Sequence, residues 1–585
     1  MTSPNKLAQW ALTTRRIWAL TTPYFSSEEK WRARGLLAAI VILNLAAVYM
    51  LVQLNEWNRV FYDALQNKDQ AVFWQQLLRF TYLAFAYIII AVYKFYLTQL
   101  LDLRWRAWLT THYVERWLSG QAFYRMELAR FSQAEGKAPD NPDQRIQEDL
   151  QLFTSFSAQL SMGLLNSVVT LVSFIGILWA LSGSFAFQFA GHDYVIPGFM
   201  VWAAIIYSLA GSVITQYIGR RQIPLNFQQQ RFEADFRHHM VRVREYSEAI
   251  ALDRGEKVER GHLDLRFSRV LKNYLQLIRA RKNLVWFNVS FGQAAVVFPF
   301  LVAAPRFFSG AIQLGELMQI SSAFGQVQDS LSWFVDNYQD FARWRATSDR
   351  LTSFEDSMRA TVATEPAQVA PSTEGLSTQD LSLALPDGRT LLAGVSVAVP
   401  RGDSVLVKGP SGSGKSTLFR AFTGIWPFAR GRVQLPPDTM AIPQNPYFPD
   451  GRLRDALAYP EPAARYDDTQ LREALEQALL PQLAGRLDDE DAWTQKLSGG
   501  ERQRLAMARV FLKRPAWVLA DEATSALDAE AERTLYQRLH ALVQSRGGGL
   551  VSIAHRPALE AFHRRGWELV RAPDGGAAAW RLQQA

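Results

Sequence analysis

The sequence predicts two folds in one chain: an all-α domain of six membrane-spanning helices, followed by an α/β domain. The N-terminal half contains long apolar runs, whereas the C-terminal half contains short β-like runs and a glycine-rich loop. Although 49% of the 585 residues are hydrophobic, the mean hydropathy is only −0.08, as expected for a chain that is part membrane and part soluble. We place the two domains at 1–350 and 376–585 and a linker rich in Ala, Thr, Pro and Ser at 351–375.

Six apolar runs in the N-terminal half predict six spans, because a spanning helix needs ~20 predominantly apolar residues. The runs are Leu36–Leu54, Leu77–Leu101, Leu160–Leu181, Pro197–Ile218, Leu284–Ala304 and Leu317–Val335. The first is too long and too far from Met1 for a signal peptide. The sixth is the most polar, which leaves two interpretations, a soluble amphipathic helix or a span lining a water-filled pathway. An even number of spans favours the second.

The distribution of basic residues predicts the topology and a lipid bilayer as partner. The segment 219–282 contains fifteen Lys or Arg, whereas 183–196 contains none. By the positive-inside rule, we expect the cytoplasmic parts to be the N-terminus, 102–159, 219–283 and the C-terminal half. The net charge of +8 is then explained without nucleic acid. We expect helical extensions of the spans at 144–159 and 227–278.

Composition excludes several kinds of site. The chain has no Cys, which rules out disulfides, thiolate catalysis and cysteine zinc sites. The eight His are scattered, and no His pair stands at helical spacing beside an acid. We therefore expect no metal-ligand cluster apart from one that accompanies the glycine-rich loop.

That loop follows a β-like run at 404–407 and precedes a helical pattern at 418–423. It reads Gly409, Pro410, Ser411, Gly412, Ser413, Gly414, Lys415, Ser416 and Thr417. Glycines let backbone N–H groups cradle phosphate oxygens, and the helix N-terminus adds positive partial charge. Lys415 would reach the terminal phosphates, and Ser416 would offer its hydroxyl to Mg²⁺. The pattern predicts a nucleoside triphosphate site.

A second motif, about a hundred residues downstream, is an apolar run that ends in two acids, Asp521 and Glu522. Alone, such a run is often a strand that meets a solvated turn. After a phosphate-binding loop it predicts a metal-holding acid, Asp521, and a water-polarising base, Glu522. Phosphoryl transfer requires mainly charge neutralisation and alignment, which this pair supplies.

A third motif resembles the signature of ABC ATPases, which other P-loop ATPases lack. It comprises Ser498, Gly499, Gly500 and Glu501. Gln444, Ser525–Asp528 and His555 are similar to the Q-loop, the D-loop and the switch histidine of that family. The resemblance covers 376–556 and implies ATP and Mg²⁺ as ligands.

For the site residues, the resemblance implies that Gln444 contacts the metal along with Ser416 and Asp521. It implies catalytic roles for Glu522, His555, Lys415 and Gln444, and an ABC exporter-like, type IV fold for the membrane domain. Where the family carries an aromatic residue that stacks on adenine, this chain has Leu385. We expect Leu385 to hold the base by apolar contact, and the preference for ATP over GTP stays open.

In ABC proteins the signature of one subunit faces the P-loop of the other. This chain carries one of each and one set of spans, so the resemblance implies a half-transporter that forms a homodimer.

Segments of the membrane half look like SbmA/BacA-like transporters, namely 55–66, 103–110 and 141–146. The last of these and 248–256 also resemble the peroxisomal fatty-acyl transporters of ABC subfamily D. The closest fit is the BacA-related branch that retains an ATPase domain. It implies uptake of antimicrobial peptides, bleomycin-like compounds or cobalamin across the bacterial inner membrane, with the ATPase domain and N-terminus cytoplasmic.

Two other functions are compatible with these motifs: an acyl-CoA or lipid transporter of the subfamily D type, and a membrane ATPase that senses without moving substrate. The membrane motifs also have a structural interpretation. Trp105 and Trp108 would be interface anchors, 141–145 a helix start, and Glu56 to Asp63 a solvated loop face or a gate.

Overall fold

The computed structural model describes residues 6–129, 141–182, 184–189, 192–362, 367–573 and 578–584. Two compact units are present: a helical unit from 1–113 and 142–352, and an α/β unit from 114–141 and 353–585. The short segment 114–141 therefore belongs with the C-terminal half, although the sequence places it between membrane helices.

The first 362 residues are mainly helical. The described helices there are α1 (Lys6–Ser26), α2 (Lys30–Gln66), α3 (Gln70–Leu118), α4 (Ala122–Ala129), α5 (Pro142–Gln144), α6 (Leu150–Ser182), α7 (Phe199–Gly219), α8 (Gln222–Glu245), α9 (Ser247–Leu252), α10 (Glu256–Phe308), α11 (Leu314–Asp336) and α12 (Tyr338–Val362). Of these, α4 lies wholly in the α/β unit, α3 and α12 extend from the helical unit into it, and the others lie in the helical unit. A π-turn at Arg145–Asp149 joins α5 to α6, and an antiparallel hairpin, β1 (Ser184–Phe189) and β2 (His192–Pro197), precedes α7.

Five helical stretches of the described chain are long and apolar enough to cross a membrane: Lys30–Gln66, Gln70–Ala129, Pro142–Ser182, Phe199–Glu245 and Glu256–Phe308. The first five predicted spans fall within them, except that the fourth prediction begins two residues earlier, at Pro197. The sixth falls in α11, whose glutamines and acids keep it outside that group. Even so, α11 packs against α2, α6, α7 and α10 and buries Leu317, Ile320 and Phe324 among them. This central position supports the interpretation as a polar span.

Two predictions about the helices need correction. The fourth span begins at Phe199 and not at Pro197, because Pro197 ends β2 and Gly198 adopts a left-handed conformation with φ 65°. The predicted helix at 227–278 is broken at Tyr246 and again before Gly255, so that α8, α9 and α10 are separate. Polar, turn-forming residues at 253–255 explain the second break.

Two residues from the membrane motifs, Arg145 and Trp105, are held by contacts within the helical unit. Asp149, 2% exposed, accepts hydrogen bonds from Arg350 at 3.0 and 2.6 Å and pairs with Arg145. Trp105 is 3% exposed and stacks on Tyr24, so it lies in the core and is not an interface anchor.

The predicted loop face at 56–63 is also part of the packing. The backbone N–H of Gly315, in the first turn of α11, donates to Asp63 Oδ1 at 2.8 Å. The amide of Gln319 donates to Glu56, which pairs with Arg59. These side chains connect α2 to α11.

The described part of the α/β unit contains two large sheets, a short antiparallel pair of strands, Gly451–Arg452 with Glu490–Asp491, and several helices. Its strands are β3 (Gln368–Pro371), β4 (Gly375–Ala384), β5 (Thr390–Val395), β6 (Ala398–Pro400), β7 (Ser404–Lys408), β8 (Ala429–Leu435), β9 (Thr439–Ile442), β10 (Gly451–Arg452), β11 (Glu490–Asp491), β12 (Trp517–Asp521), β13 (Gly549–Ile553), β14 (Arg565–Arg571) and β15 (Trp580–Gln584). Its remaining helices are α13 (Lys415–Phe422), α14 (Leu453–Ala458), α15 (Asp468–Gln477), α16 (Trp493–Lys496), α17 (Gly499–Lys513) and α18 (Ala529–Ser545).

The larger sheet has the order β15-β14-β7-β13-β12-β9, and every pair except β14–β15 is parallel. The smaller sheet has the order β3-β8-β4-β5, with β6 on β4. In the larger sheet Val407, Ile553 and Asp521 are register partners at the ends of β7, β13 and β12. Parallel strands place their carboxyl ends at one edge, so the segments that follow these strands converge there.

The predicted linker at 351–375 is mostly structured. Helix α12 continues to Val362, and Leu351, Phe354 and Met358 are buried along one face of it. Strand β3 then pairs in parallel with β8. The helical spacing of the three apolar residues explains the difference, while 363–366 lie outside the described residues.

Candidate nucleotide site

The phosphate-binding loop connects β7 to α13 through three glycines with left-handed φ. These angles are 145° at Gly409, 78° at Gly412 and 92° at Gly414. At Gly409 a Cβ would also lie 2.9 Å from Leu569 Cβ. Only glycine adopts such backbone angles readily, so the turn depends on these residues.

Lys415, in the first turn of α13, is 6% exposed. Its ammonium donates to the carbonyls of Gly409 at 2.8 Å and Pro410 at 2.9 Å. Burial lowers the pKa of Lys415, and the nearby Glu522 and Asp521 act in the opposite direction. A nearly buried cation whose bonds go only to neutral carbonyls favours an anionic ligand such as a phosphate.

The residues at the end of β12 fit a magnesium ion. The Ser416 hydroxyl hydrogen-bonds Asp521, and burial raises the pKa of that carboxyl. Asp521 Oδ1 is buried and has no hydrogen-bond partner among the described residues. A buried carboxylate oxygen beside a hydroxyl is the oxygen donor set that Mg²⁺ takes. Ser416 and Asp521 would therefore hold the ion, whose charge would neutralise the phosphates.

Glu522 is held between Gln444 and His555, two of the three other residues predicted for catalysis. Its Oε2 accepts from Gln444 Nε2 at 2.8 Å, and its Oε1 lies 3.1 Å from His555 Nε2. Its φ of 47° is strained for a residue with a side chain, and its backbone N–H bonds Ile553 O at 3.0 Å. The structure thus brings Gln444, Glu522 and His555 together at the edge where β9, β12 and β13 end. The bond to Glu522 uses the Gln444 nitrogen, so the amide oxygen that a metal would bind is not committed to Glu522.

The predicted signature residues form the N-terminus of α17. Ser498 Oγ accepts from the N–H of Glu501 at 3.3 Å, and Glu501 Oε2 accepts from the N–H of Ser498 at 3.0 Å. The Ser498 hydroxyl also donates to Glu501 Oε2 at 2.8 Å, and the two bonds that Ser498 donates to this carboxylate lower the pKa of Glu501. Gly499 and Gly500 add no side chains over the helix end, where N–H groups and the helix dipole favour an anion.

Gln503, for which the sequence motifs predicted no role, connects the signature helix to the loop after β12. It is 4% exposed. Its Nε2 donates to Glu522 O at 3.2 Å and to Ser525 Oγ at 3.0 Å, and its Oε1 accepts from the N–H of Ala526 at 2.8 Å. In the sequence, the sign of such a role was a glutamine on the otherwise apolar face of α17 that contains Ala506, Met507 and Val510.

The predicted adenine-contacting residue, Leu385, lies in the turn between β4 and β5, where its N–H bonds Arg389 O at 2.8 Å. It is half-buried against the core between the sheets. Leu391, on β5, lies against the phosphate-binding loop, since its Cδ1 is 3.2 Å from where a Gly414 Cβ would be. No sequence motif includes Leu391, and the role of Leu385 stays a prediction.

Helix α4 docks into the same unit as the nucleotide site. Leu128 belongs to the core between the two sheets, and Tyr124 packs against it. Ala122 and Met126 are each 1% exposed. A 3₁₀ turn at Ser119–Gln121 joins α3 to α4, so α4 is covalently continuous with a membrane helix.

Comparison with known proteins places both units. The family described as ABC transporter transmembrane region 2 matches residues 20–308, and the family described as ABC transporter matches residues 392–525. The inner membrane ABC transporter ATP-binding protein YddA of Escherichia coli K12 is 33% identical over 542 residues, covering 92% of this chain and 94% of the relative.

Two eukaryotic relatives extend the comparison. ABC transporter D family member 2, chloroplastic, of Arabidopsis thaliana is 32% identical and covers 99% of this chain and 89% of its own. The human lysosomal cobalamin transporter ABCD4 is 27% identical and covers 92% and 94%. A bacterial Atm1-family ABC exporter with ATP bound superposes with a TM-score of 0.68 at 18% identity over 96% of each chain. This likeness confirms the predicted fold class, a helical exporter-like membrane domain fused to an α/β ATPase domain.

Proposed function

Because this chain belongs to the ABC transporter family, is related to subfamily D and couples ATP hydrolysis to transport across a membrane, we propose that it is a half-transporter that works as a homodimer and imports a polar compound across the bacterial inner membrane. The ATPase domain and the N-terminus would be cytoplasmic.

The polar face of α11 is the observation from which we infer the class of transported compound. Asp329 and Asp336 are both exposed and lie two helical turns apart, on the same side as Ser322 and Gln326. A carboxylate that faces lipid is costly, so this face would line a water-filled pathway. Two acids there favour polar cargo that is neutral or cationic, such as antimicrobial peptides, bleomycin-like compounds or cobalamin, over the anionic acyl-CoA.

The finer assignment is the BacA-related branch that retains its ATPase domain, which the quoted membrane motifs support. The relative named as a lysosomal cobalamin transporter supports cobalamin as one cargo. Inward transport follows from the SbmA/BacA resemblance.

A lipid or acyl-CoA transporter is the second candidate, and one cavity favours it. About 870 Å³ of space lies in the helical unit between α1, α2, α3, α6 and the α11–α12 region. Its lining is mainly apolar and aromatic and includes Trp18, Phe25, Trp105, Trp333 and Phe334. Such a lining suits acyl chains, whereas the acids on α11 do not suit a coenzyme A group.

The homodimer follows from the presence of one phosphate-binding loop and one signature in the chain. ATP held by Lys415 and its loop would be closed over by the signature helix end of the partner subunit. Glu522 would then polarise the attacking water, with Gln444 and His555 holding its carboxylate. When bound, Mg²⁺ would neutralise the charge that develops on the phosphates. Binding of two ATP would close the dimer and hydrolysis would reopen it.

The arm formed by α8, α9 and the first half of α10 supports the same assembly. Helix α8 packs chiefly on α10. Phe227, Leu252 and Val258 are 70%, 77% and 61% exposed on this arm. A partner subunit would cover these apolar side chains.

Complementation tests the composite site. Lys415→Ala and Ser498→Arg would each inactivate a homodimer, one through the phosphate-binding loop and one through the signature. A heterodimer of the two variants keeps one site in which both parts are intact. We expect differently tagged, co-purified heterodimers to regain ATPase activity that neither variant shows alone. Heterodimers as inactive as both parents would contradict the composite site, whereas an active single variant would contradict the assigned residue roles.

A further inference from the structure

We propose that His239, Glu259 and His262 form a binding site for a divalent transition-metal ion, zinc in the first instance, between α8 and α10. The proposal concerns a site outside the nucleotide-binding region and does not depend on the identity of the cargo. It differs from the expectation that no metal-ligand cluster would exist away from the glycine-rich loop, because the structure brings three possible ligands together.

The three donor atoms already lie close together. His239 Nε2 is 2.7 Å from Glu259 Oε2, and His262 Nδ1 is 4.0 Å from the same oxygen. One ligand atom from each residue lies within 4.8 Å of the others. Zinc bonds of roughly 2.0–2.2 Å in a tetrahedral site put donor atoms about 3.3 Å apart. Small side-chain rotations would therefore bring all three onto one ion.

Packing between α8 and α10 holds the backbone that carries these ligands. The buried Asn273 donates to Leu225 O at 3.0 Å and to Gln229 Oε1 at 2.9 Å, which sets the register of α10 against α8. Further along, the rings of Phe236 and Phe267 lie 5.4 Å apart. The metal ligands come one to two turns beyond these rings, so α8 and α10 meet there in a defined register.

The choice of residues suits zinc. Glu259 and His262 stand three residues apart on one face of α10, and His239 faces them from α8. Two imidazoles and one carboxylate form a ligand set that zinc accepts, with water in the fourth position. Side-chain exposures of 13% for His239, 25% for Glu259 and 53% for His262 leave a route for the ion.

The residues around His239 also allow another interpretation, a hydrogen-bonded pair without a metal. A recess of about 280 Å³ beside His239 is lined by Asp235, His238, Arg242, Arg266 and other residues. The arginines oppose a cation, whereas Asp235 offers a further carboxylate. Without a metal, His239 and Glu259 would simply share a hydrogen bond. The two interpretations differ in whether His262 matters, because its ring lies beyond hydrogen-bond distance from Glu259.

The sequence alone does not predict this cluster, because its three residues meet only through a tertiary contact. Glu259 and His262 alone are an ordinary pair on a charged helix, and His239 is 20 positions away from Glu259 in the chain. Only the antiparallel packing of α8 on α10 brings the third ligand to the pair.

Zinc and cobalt binding to the full-length protein tests the proposal. The protein would be purified in detergent without a polyhistidine tag or nucleotide and titrated with Zn²⁺ by calorimetry and with Co²⁺ by visible absorption. The test variants are His239→Ala and His262→Ala, and the matched control is His238→Ala, an exposed neighbour on the same helix. We expect one ion per chain in the wild type and the control. Affinity should fall at least about tenfold in each test variant, since even outer-shell changes cost about 10–100-fold in natural sites.

A d–d absorption of the tetrahedral type with Co²⁺, lost in both test variants, would support the three-ligand site. Glu259→Gln keeps the size of the side chain and should also abolish binding, and retained ATPase activity would show that each variant is folded. Equal binding in all variants would place the metal elsewhere on the protein and overturn the proposal. Absence of binding to the wild type, or loss in His239→Ala with no effect of His262→Ala, would also overturn it.

Discussion

Replacement of Gln503 by leucine tests how the signature helix controls the loop that carries Glu522. The substitution keeps the approximate size of the side chain and removes three hydrogen bonds, at 3.2, 3.0 and 2.8 Å, to Glu522 O, Ser525 Oγ and the N–H of Ala526. Each bond contributes roughly 0.5–1.5 kcal/mol net, so the loop should lose about 2–4 kcal/mol of local stability.

Hydrogen exchange of the full-length protein, read by mass spectrometry, measures that loss directly. Since local opening controls exchange, peptides that span 520–528 should exchange roughly 30- to 1000-fold faster in the variant. We expect kcat to fall about 10- to 100-fold because Glu522 is displaced, with little change in the KM for ATP because the phosphate-binding loop is untouched. Gln544→Leu, on the exposed face of α18, is the control and should change neither quantity. Unchanged exchange and unchanged kcat in Gln503→Leu would refute this account of the loop.

Three further predictions follow from individual contacts. Glu522→Gln should lower ATPase turnover by at least about 100-fold while ATP binding persists. The control is Glu560→Gln, which removes a carboxylate that accepts a bond from Lys408 at 2.6 Å and should retain turnover within about twofold. Substantial turnover in Glu522→Gln would contradict the role of Glu522 as the base. Burial lowers the pKa of His563 from 6.5 to about 4, so the unfolded chain binds the proton first, and stability of the α/β unit should fall by at most about 3 kcal/mol as pH drops through that window. Thermal unfolding against pH checks this, and His563→Gln should flatten the dependence. Gly315→Ala would put a Cβ 2.0 Å from Arg59 O and should destabilise the helical unit by about 1–3 kcal/mol in thermal unfolding, whereas Gly325→Ala on the same helix meets nothing within 4 Å and should be neutral.

The sequence predicted the parts of the nucleotide site that are encoded locally. A strand, a glycine-rich turn and a helix determine where Lys415 and Ser416 lie, and the end of an apolar strand determines where Asp521 and Glu522 lie. The parallel order of β7, β13, β12 and β9 then brings Gln444 and His555 to the same edge. What each of these side chains does in the reaction still rests on the family resemblance.

Tertiary contacts account for what the sequence did not predict. Gln503 contributes through bonds to a loop about 20 residues away, and Leu391 through its contact with Gly414. Helix α4, at 122–129, packs in the α/β unit although membrane helices flank it in sequence. None of these relations has a periodicity or a spacing that a linear pattern reveals.

The sixth predicted span, in α11, shows a limit of hydropathy as a criterion for membrane helices. Hydropathy alone separates α11 from the other spans, because its polar residues lower the average. Its packing among four helices explains how polar side chains are tolerated there: the apolar face is buried in protein, and the acids occupy the other face.

The most direct test of the central claim is flux in vesicles whose ATPase domains face outward. The vesicles would be loaded with a labelled cationic peptide or labelled cobalamin and supplied with ATP and Mg²⁺, and the control would be Glu522→Gln. In this orientation the lumen corresponds to the extracellular side, so an importer empties the vesicles. We expect ATP-dependent loss of the loaded compound that the Glu522→Gln control does not show. ATP-driven accumulation from outside would contradict import, and an active ATPase with no flux of either compound would contradict the proposed cargo.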